Sequence, residues 1–413
     1  MTKTNLEPVA EPRPARRRRL WLAVAVLVPL LGAAGFAGLR LAGPLPAPQV
    51  IQAVPQMYVI PGTPPILPWP SDGQAVLEVE GLGGLGSSGG SKPVPIASVT
   101  KVMTAYLILR DHPMRVNEDG PTLTVSADEA AAYPDQFARG ESLVQVEAGE
   151  VLTERQALQA LLLPSANNMA YILARWDAGS RPAFVAKMNR AAADLGMAHS
   201  HYTDPSGLEA TTVSTAADQV TLARAAMEFP VMAQIVAMKQ ATLPVAGVVK
   251  NVNSLLGENG IVGVKTGNTD QAGGCLVFAA DLGVNGHPIK VIGAVLGPGP
   301  EMQDAFTAAR RLMEIGSTVV HEYRAVHAGQ LVATVRGPLG RSTTLVASDD
   351  LDVLGWPGLT YRLDTHATVP DKIAAAVGVG TLKLTADNTA VSTDVQTTGA
   401  LIPPGWWERI AHR

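Results

Sequence analysis

The chain has a single cysteine, Cys275, among 413 residues. One thiol excludes an internal disulfide framework and any multi-cysteine metal site. It leaves the compartment open, since an exported protein can simply avoid cysteine. Charge is also scarce, at 16% of residues, with 32 Lys and Arg against 36 Asp and Glu. The formal net charge of −4 provides no global basic field, so no nucleic-acid partner is expected. The eight histidines show no ligand spacing, and His199 and His201 read as solvated loop residues. What is plentiful is apolar material, at 47%, which excludes a disordered chain, and the length allows two or three domains.

Positive charge is absent in an informative place. Arg13 and Arg16 to Arg19 precede an apolar run from Leu20 to Leu39, and beyond Arg40 there is no Lys or Arg until Lys92. Twenty residues at about 1.5 Å rise span a hydrocarbon core of about 30 Å. The segments expected are a basic cytoplasmic tail at 1–19 and a transmembrane signal-anchor helix at 20–39, with everything after it outside the cytoplasm. The same run also reads as a signal peptide, with Gly35-Phe36-Ala37 as a weak cleavage site and a secreted product. Residues 40–70 carry nine prolines and read as a linker of extended, semi-rigid chain. Ile66, Leu67 and Trp69 equally suit a segment wrapping its own domain.

The remainder divides by texture. Strand-like alternation at 74–80 leads into a helix-rich stretch with helices expected at 98–110, 153–163, 168–176, 182–195 and 215–228. Strands at 262–265, 274–281 and 289–297 follow, the last two as an antiparallel hairpin, then a helix at 302–315. This order predicts an α+β fold, an antiparallel sheet with a helical subdomain spanning 71–316. Short strands at 331–336, 342–346, 361–365 and 381–384 predict a small β-rich domain at 317–398, with a tail at 399–413 that holds Trp406 and Trp407.

Three short motifs occur once each. In Ser98-Val99-Thr100-Lys101 a helix start turns the lysine amine toward the serine hydroxyl, and a hydroxyl needs such a base to act as a nucleophile. Ser165-Ala166-Asn167 sits in a break between apolar helices, where a hydroxyl and an amide can relay a proton and hold a peptide group, or simply cap a helix. Lys265-Thr266-Gly267 ends an apolar strand with a cation, a hydroxyl and a residue without a side chain, which suits an acidic substrate end or an ordinary turn.

In this order the three motifs resemble the S-x-x-K, S-x-N and K-T-G set of penicillin-binding proteins and serine β-lactamases. PIASVTKVMTAYLIL, LLLPSANNMAYILA, HYTDPSGLE and VGVKTGNTDQAGGCLVFAA resemble the serine-type D-alanyl-D-alanine carboxypeptidases, the low-molecular-mass penicillin-binding proteins. The resemblance covers about residues 71–316 and implies the penicillin-binding, β-lactamase-like transpeptidase fold. It implies that Ser98 attacks the carbonyl between the two D-alanines ending a peptidoglycan stem peptide, with Lys101 as base and Ser165 relaying a proton. It further implies that Asn167 holds the peptide amide, Lys265 and Thr266 bind the terminal carboxylate, Gly267 allows close backbone approach, and the backbone N–H groups of Ser98 and Asn268 form an oxyanion hole. Covalent inhibition by β-lactam antibiotics follows from the same acyl-enzyme, and the resemblance implies no metal, nucleotide or other cofactor.

The departures from the family pattern are Asn268 where His is frequent, Ala166 where Gly is common, and Asn168 where Asp often stands. No Arg beyond the hairpin matches the family's carboxylate ligand, because Arg310 and Arg311 fall late, within a helix. The alternatives are a β-lactamase-like hydrolase and a non-catalytic wall- or β-lactam-binding protein. The E-x-x-L-N string of class A β-lactamases is missing from the expected region, which carries TDPSGL instead.

Overall fold

The computed structural model describes residues 15–411. Most of the expected basic tail, Arg13 included, lies outside the described residues. Helix α1 (Ala15–Ala42) runs through the apolar segment and tolerates Pro29 in its interior. Its stretch from Arg18 to Ala42 is long and apolar enough to cross a membrane, and none of it is buried in the protein.

The central sheet has five antiparallel strands in the order β11 (Ile261–Thr269), β12 (Gly273–Val284), β13 (His287–Leu296), β3 (Gln74–Val79) and β4 (Gly83–Ser88). Strand β12 reads as a continuous apolar run because both of its faces are covered. Cys275, Val277 and Ala279 face one hydrophobic core, while the intervening Leu276, Phe278 and Ala280 face another. Helix α8 (Ala216–Met227) packs on the first face, and α10 (Met302–Gly316) supplies Ala305, Phe306 and Leu312 to the second core.

The first core belongs to a helical region of α2 (Lys101–Asp111), α5 (Glu154–Leu162), α6 (Asn167–Ala178), α7 (Arg181–Asp194) and α9 (Pro230–Val236), together with α8. Helix α2 lies at its centre, against α5, α6, α7 and α8. The start of α5 is fixed by a capping box in which Thr153 and Gln156 satisfy each other's backbone N–H groups. Short ladders fill the connections: β5 (Val94–Pro95) with β8 (Val213–Ser214), β6 (Thr122–Thr124) with β7 (Val151–Thr153), and β9 (Gln240–Leu243) with β10 (Gly247–Lys250). Two small helices, α3 (Ala127–Ala131) and α4 (Tyr133–Ala138), lead into the loop that borders the site.

After α10 the chain forms β14 (His321–Val326), β15 (Leu331–Arg336), β16 (Ser342–Ala347), β17 (Leu351–Gly355), β18 (Thr360–Ala367), β19 (Gly378–Ala386) and β20 (Thr389–Thr397). The sequence expectation lacked β14 and β20, whose charged or threonine-rich faces are half exposed, and the short β17. Two further strands come from the proline-rich segment, which is therefore not a free spacer. Strands β1 (Gln49–Gln52) and β2 (Met57–Val59) close the two edges of a seven-stranded sheet, ordered β1-β15-β16-β20-β19-β18-β2. Edge positions tolerate flanking prolines, because the missing N–H would face away from the ladder. Val54, Ile60 and Leu67 of this segment are buried, and they share one apolar cluster with α10 and the C-terminal strands. Position 316/317 therefore marks a change of architecture rather than a gap in packing.

The expected tail is partly ordered as α11 (Trp406–Ala411), which packs on the end of α1. Arg409 donates hydrogen bonds to the Leu41 and Gly43 carbonyls, at 2.6 and 3.0 Å, and Arg341 pairs with Glu408 at 2.8 Å. Trp406 and Trp407 stay exposed beside that junction.

Because Ile60 is 1% exposed, Ile60→Ala should destabilise the chain by about 2–5 kcal/mol, measured by denaturant unfolding. A change near zero would mean that the proline-rich segment is only loosely attached.

Candidate active site

Ser98 does not begin an α-helix, as the sequence suggested. It lies in a 3₁₀ turn, Ala97–Thr100, that runs directly into α2. The Ile96 side chain offers no cap, Ala97 has φ 47° in the left-handed region, and Thr100 Oγ1 donates to the Ala97 carbonyl at 2.8 Å. A 3₁₀ turn eclipses residues three apart, which stacks Lys101 against Ser98 more directly than an α-turn would. Lys101 Nζ lies 2.6 Å from Ser98 Oγ.

The Lys101 amine has two further partners, Asn167 Oδ1 at 2.7 Å and the Ser206 carbonyl at 2.9 Å. The residue is fully buried. Burial first, and the nearby Lys265 second, hold its pKa well below the ordinary lysine value, against an opposing pull from Asp204 and Glu141. A neutral amine touching a hydroxyl can accept the hydroxyl proton.

The Ser206 carbonyl is held by a loop that sequence reasoning noted only as family-like text. Asp204 Oδ2 accepts from the N–H groups of Ser206, Gly207 and Leu208, at 3.0, 2.8 and 3.1 Å, and from Ser206 Oγ at 2.6 Å. Asp204 Oδ1 accepts from Thr212 Oγ1 at 2.7 Å. Such Asx-turn bonding is the physical content of the Asp-Pro-Ser-Gly signal. Gly207 is obligatory, because φ is +79° and a Cβ would stand 1.8 Å from the Ala97 carbonyl oxygen. Tyr171 reaches Ser206 Oγ from α6 at 3.1 Å.

Ser165 and Asn167 lie where the chain breaks between α5 and α6. Ser165 has φ +68°, and the Asn167 N–H donates to the Ser142 carbonyl at 2.7 Å, fastening α6 to the loop after α4. Asn167 Nδ2 donates to Glu141 Oε2 at 3.2 Å. Glu141 is a neighbour that no sequence signal marked, since it sits in an unpatterned loop. Asn168 accounts for one departure from the family pattern. Its amide accepts from Val144 N–H at 3.3 Å and donates to Val144 C=O at 2.8 Å, a two-way pairing that an ionised Asp cannot make.

Lys265-Thr266-Gly267 lies within β11 rather than at its end, and the turn follows at 270–272. Lys265 is buried, with Nζ 2.9 Å from the Thr266 carbonyl and 3.4 Å from Thr266 Oγ1. Burial pulls its pKa down to about 7. A Cβ on Gly267 would stand 2.8 Å from the Ser98 nitrogen and 2.9 Å from that of Val99, so only glycine lets β11 lie this close to the serine turn. Asn268 is exposed at the end of this run. The two candidate arginines stand elsewhere: Arg310 pairs with Glu258 at 2.8 Å, and Arg311 lines a cavity of about 370 Å³ beside Trp69 and Asp304. Cys275 is a small buried residue whose thiol burial pushes up to about 12, and His199 and His201 are exposed.

Comparison with known proteins places the chain among peptidases. A family model described as D-alanyl-D-alanine carboxypeptidase matches residues 85–298. A D-alanyl-D-alanine endopeptidase of Pseudomonas aeruginosa is 33% identical over 233 residues, covering 54% of this chain and 70% of that protein. A D-alanyl-D-alanine carboxypeptidase of Streptomyces sp. strain K15 is 33% identical over 217 residues, covering 48% and 71%. Among solved structures, the Streptomyces K15 DD-transpeptidase superposes with a TM-score of 0.54 at 27% identity, over 62% of this chain and 99% of that one. A Francisella tularensis D-alanyl-D-alanine carboxypeptidase shares the fold over 84% of this chain and 97% of its own, with a TM-score of 0.58 at 20% identity.

The buried Lys265 carries a stability consequence. Its pKa is lower in the folded than in the unfolded chain, so it costs stability below about pH 7 and the cost fades as pH rises toward the unfolded value. Lys265→Met should therefore stabilise the protein at pH 6, by about 1–3 kcal/mol, and less at pH 9. Thermal melts at the two pH values measure the difference; a loss of stability at pH 6 would contradict the assignment.

Proposed function

The chain belongs to the D-alanyl-D-alanine carboxypeptidase family and is a serine-type peptidase, and on that premise we propose that it removes the terminal D-alanine from peptidoglycan stem peptides through an acyl-enzyme on Ser98. The observation that carries the reading is the 2.6 Å contact between a buried, neutral-leaning Lys101 amine and Ser98 Oγ. Lys101 takes the hydroxyl proton as Ser98 Oγ bonds to the carbonyl carbon between the two D-alanines. The negative oxygen that forms is met by the backbone N–H groups of Ser98 and Asn268, each such donor typically worth about 3–4 kcal/mol of barrier. The proton passes by way of Ser165 to the departing D-alanine nitrogen as the C–N bond breaks. Water then attacks the ester, frees the shortened peptide and returns the proton to Ser98.

Substrate orientation falls to the remaining residues. Asn167 keeps one Nδ2 hydrogen for the substrate amide carbonyl beside its bond to Glu141. Lys265 and Thr266 receive the terminal carboxylate, whose charge favours the Lys265 cation and makes the neutral form of Lys101 easier to reach. A penicillin carrying the same carboxylate beside a strained amide acylates Ser98 by the same route. The exposed apolar helix α1 supports a single-pass anchor with the catalytic region outside the cytoplasmic membrane, and Trp406 and Trp407 lie at its outer end, where a lipid interface suits them.

Incubating the full chain in detergent micelles with a peptide ending in D-Ala-D-Ala should release free D-alanine, and penicillin should block the release. Ser98→Ala should lose both that release and covalent labelling by a fluorescent penicillin, with an unchanged melting profile. Labelling that persists in Ser98→Ala would overturn the nucleophile. Labelling of the wild type without D-alanine release would favour a transpeptidase lacking its acceptor, or a β-lactam-binding protein without turnover.

A further inference from the structure

We infer that Glu141 is a positioning residue for the Ser98–Lys101 pair, acting through the Asn167 amide. This inference rests on the acyl-enzyme reading above and deepens it. Five side chains form an unbroken line from the surface to the nucleophile. Arg139 donates to Glu141 Oε1 through Nη2 at 2.8 Å and through Nε at 3.1 Å. Glu141 Oε2 accepts from Asn167 Nδ2 at 3.2 Å, and Asn167 Oδ1 receives the Lys101 amine at 2.7 Å. Lys101 Nζ in turn meets Ser98 Oγ at 2.6 Å.

The chemistry of an amide gives this line its direction. A side-chain amide can face Lys101 with either its oxygen or its nitrogen, and only the oxygen offers the amine an acceptor. A carboxylate accepts and never donates when ionised, so Glu141 compels Asn167 to present Nδ2 to it and Oδ1 to Lys101. Glu141 thus does for the amide what a buried carboxylate does for a catalytic imidazole, fixing one orientation. Its side chain is 2% exposed, whereas Arg139 is 59% exposed, so the carboxylate is sealed in and its counter-ion lies on the rim.

The same carboxylate sets part of the charge around the base. The ionisable groups acting on Lys101 are Lys265 from β11, Asp204 from the 204–208 loop and Glu141 from the loop after α4. Around Glu141 stand Arg139 and, on α6, Tyr171. Lys265 favours the neutral amine, while Asp204 and Glu141 favour its protonated form. Neutralising Glu141 should therefore make Lys101 easier to deprotonate while loosening its alignment.

The test measures the second-order rate of fluorescent-penicillin acylation against pH for the full chain, alongside thermal melts. Glu141→Gln should lower the plateau rate about tenfold, as expected for a hydrogen bond to a charged group. It should also move the acidic midpoint to lower pH. Arg139→Ala, on an exposed residue that does not endanger the fold, should move the midpoint the other way, because the carboxylate then loses its counter-ion. Midpoints that stay at the wild-type value in both variants would overturn the inference, even if Glu141→Gln also slows the reaction or melts earlier. A wild type that takes up no penicillin would instead refute the acyl-enzyme reading itself.

Discussion

The burial of one lysine amine sets the terms for the rest of this structure. Removing Lys101 from water favours its neutral form, and a neutral amine held against a hydroxyl is what a serine needs in order to attack. The amine is not left without partners, for it meets Ser98, Asn167 and the Ser206 carbonyl. Each of those partners comes from a different part of the chain, so the site exists only when the α2 turn, the start of α6 and the 204–208 loop are packed together.

Packing and chemistry are linked through small residues and one strained turn. Gly267 and Gly207 let β11 and the 204–208 loop approach the backbone around Ser98 more closely than any side chain would permit. Ala97, in the left-handed region, turns the chain into the short 3₁₀ segment that aligns Ser98 with Lys101. Two-sided burial of β12 holds β11 in place, since its alternate residues belong to different cores. Backbone strain and the burial of two lysine amines cost stability, and such costs commonly gather where catalysis requires fixed geometry.

Much of this was legible in the sequence, for reasons that can be named. The helical and sheet elements around the motifs follow apolar periodicity, and the Thr153–Gln156 capping box formed as its residue types suggest. The S-x-x-K and S-x-N motifs resemble a known set, and the fold brings Ser98, Lys101 and Asn167 into contact, with Lys265 near enough to act on Lys101. Glu141 was not legible, because a loop carboxylate has no periodicity and only the fold brings it to Asn167. The proline-rich segment was ambiguous between a spacer and a chain wrapping its own domain, and the second reading is the one the fold follows. Its composition suits an extended spacer, but short edge strands use the same extended backbone, and Val54, Ile60 and Leu67 had a sheet to bury against. Strands β14 and β20 carry little apolar signal because their half-exposed faces mix charged and threonine residues, and β17 is only five residues long.

The account stands most directly on the protonation state of Lys101. Carbon-13 labelling of the lysine side chains and an NMR titration of the full chain in micelles would follow each amine, with Lys101→Arg identifying the resonance. Two amines, those of Lys101 and Lys265, should titrate well below the ordinary lysine range in the wild type, and one of the two signals should vanish in the variant. If every lysine instead titrates near its ordinary value, Lys101 is a cation at neutral pH, and the site as described has no base for Ser98.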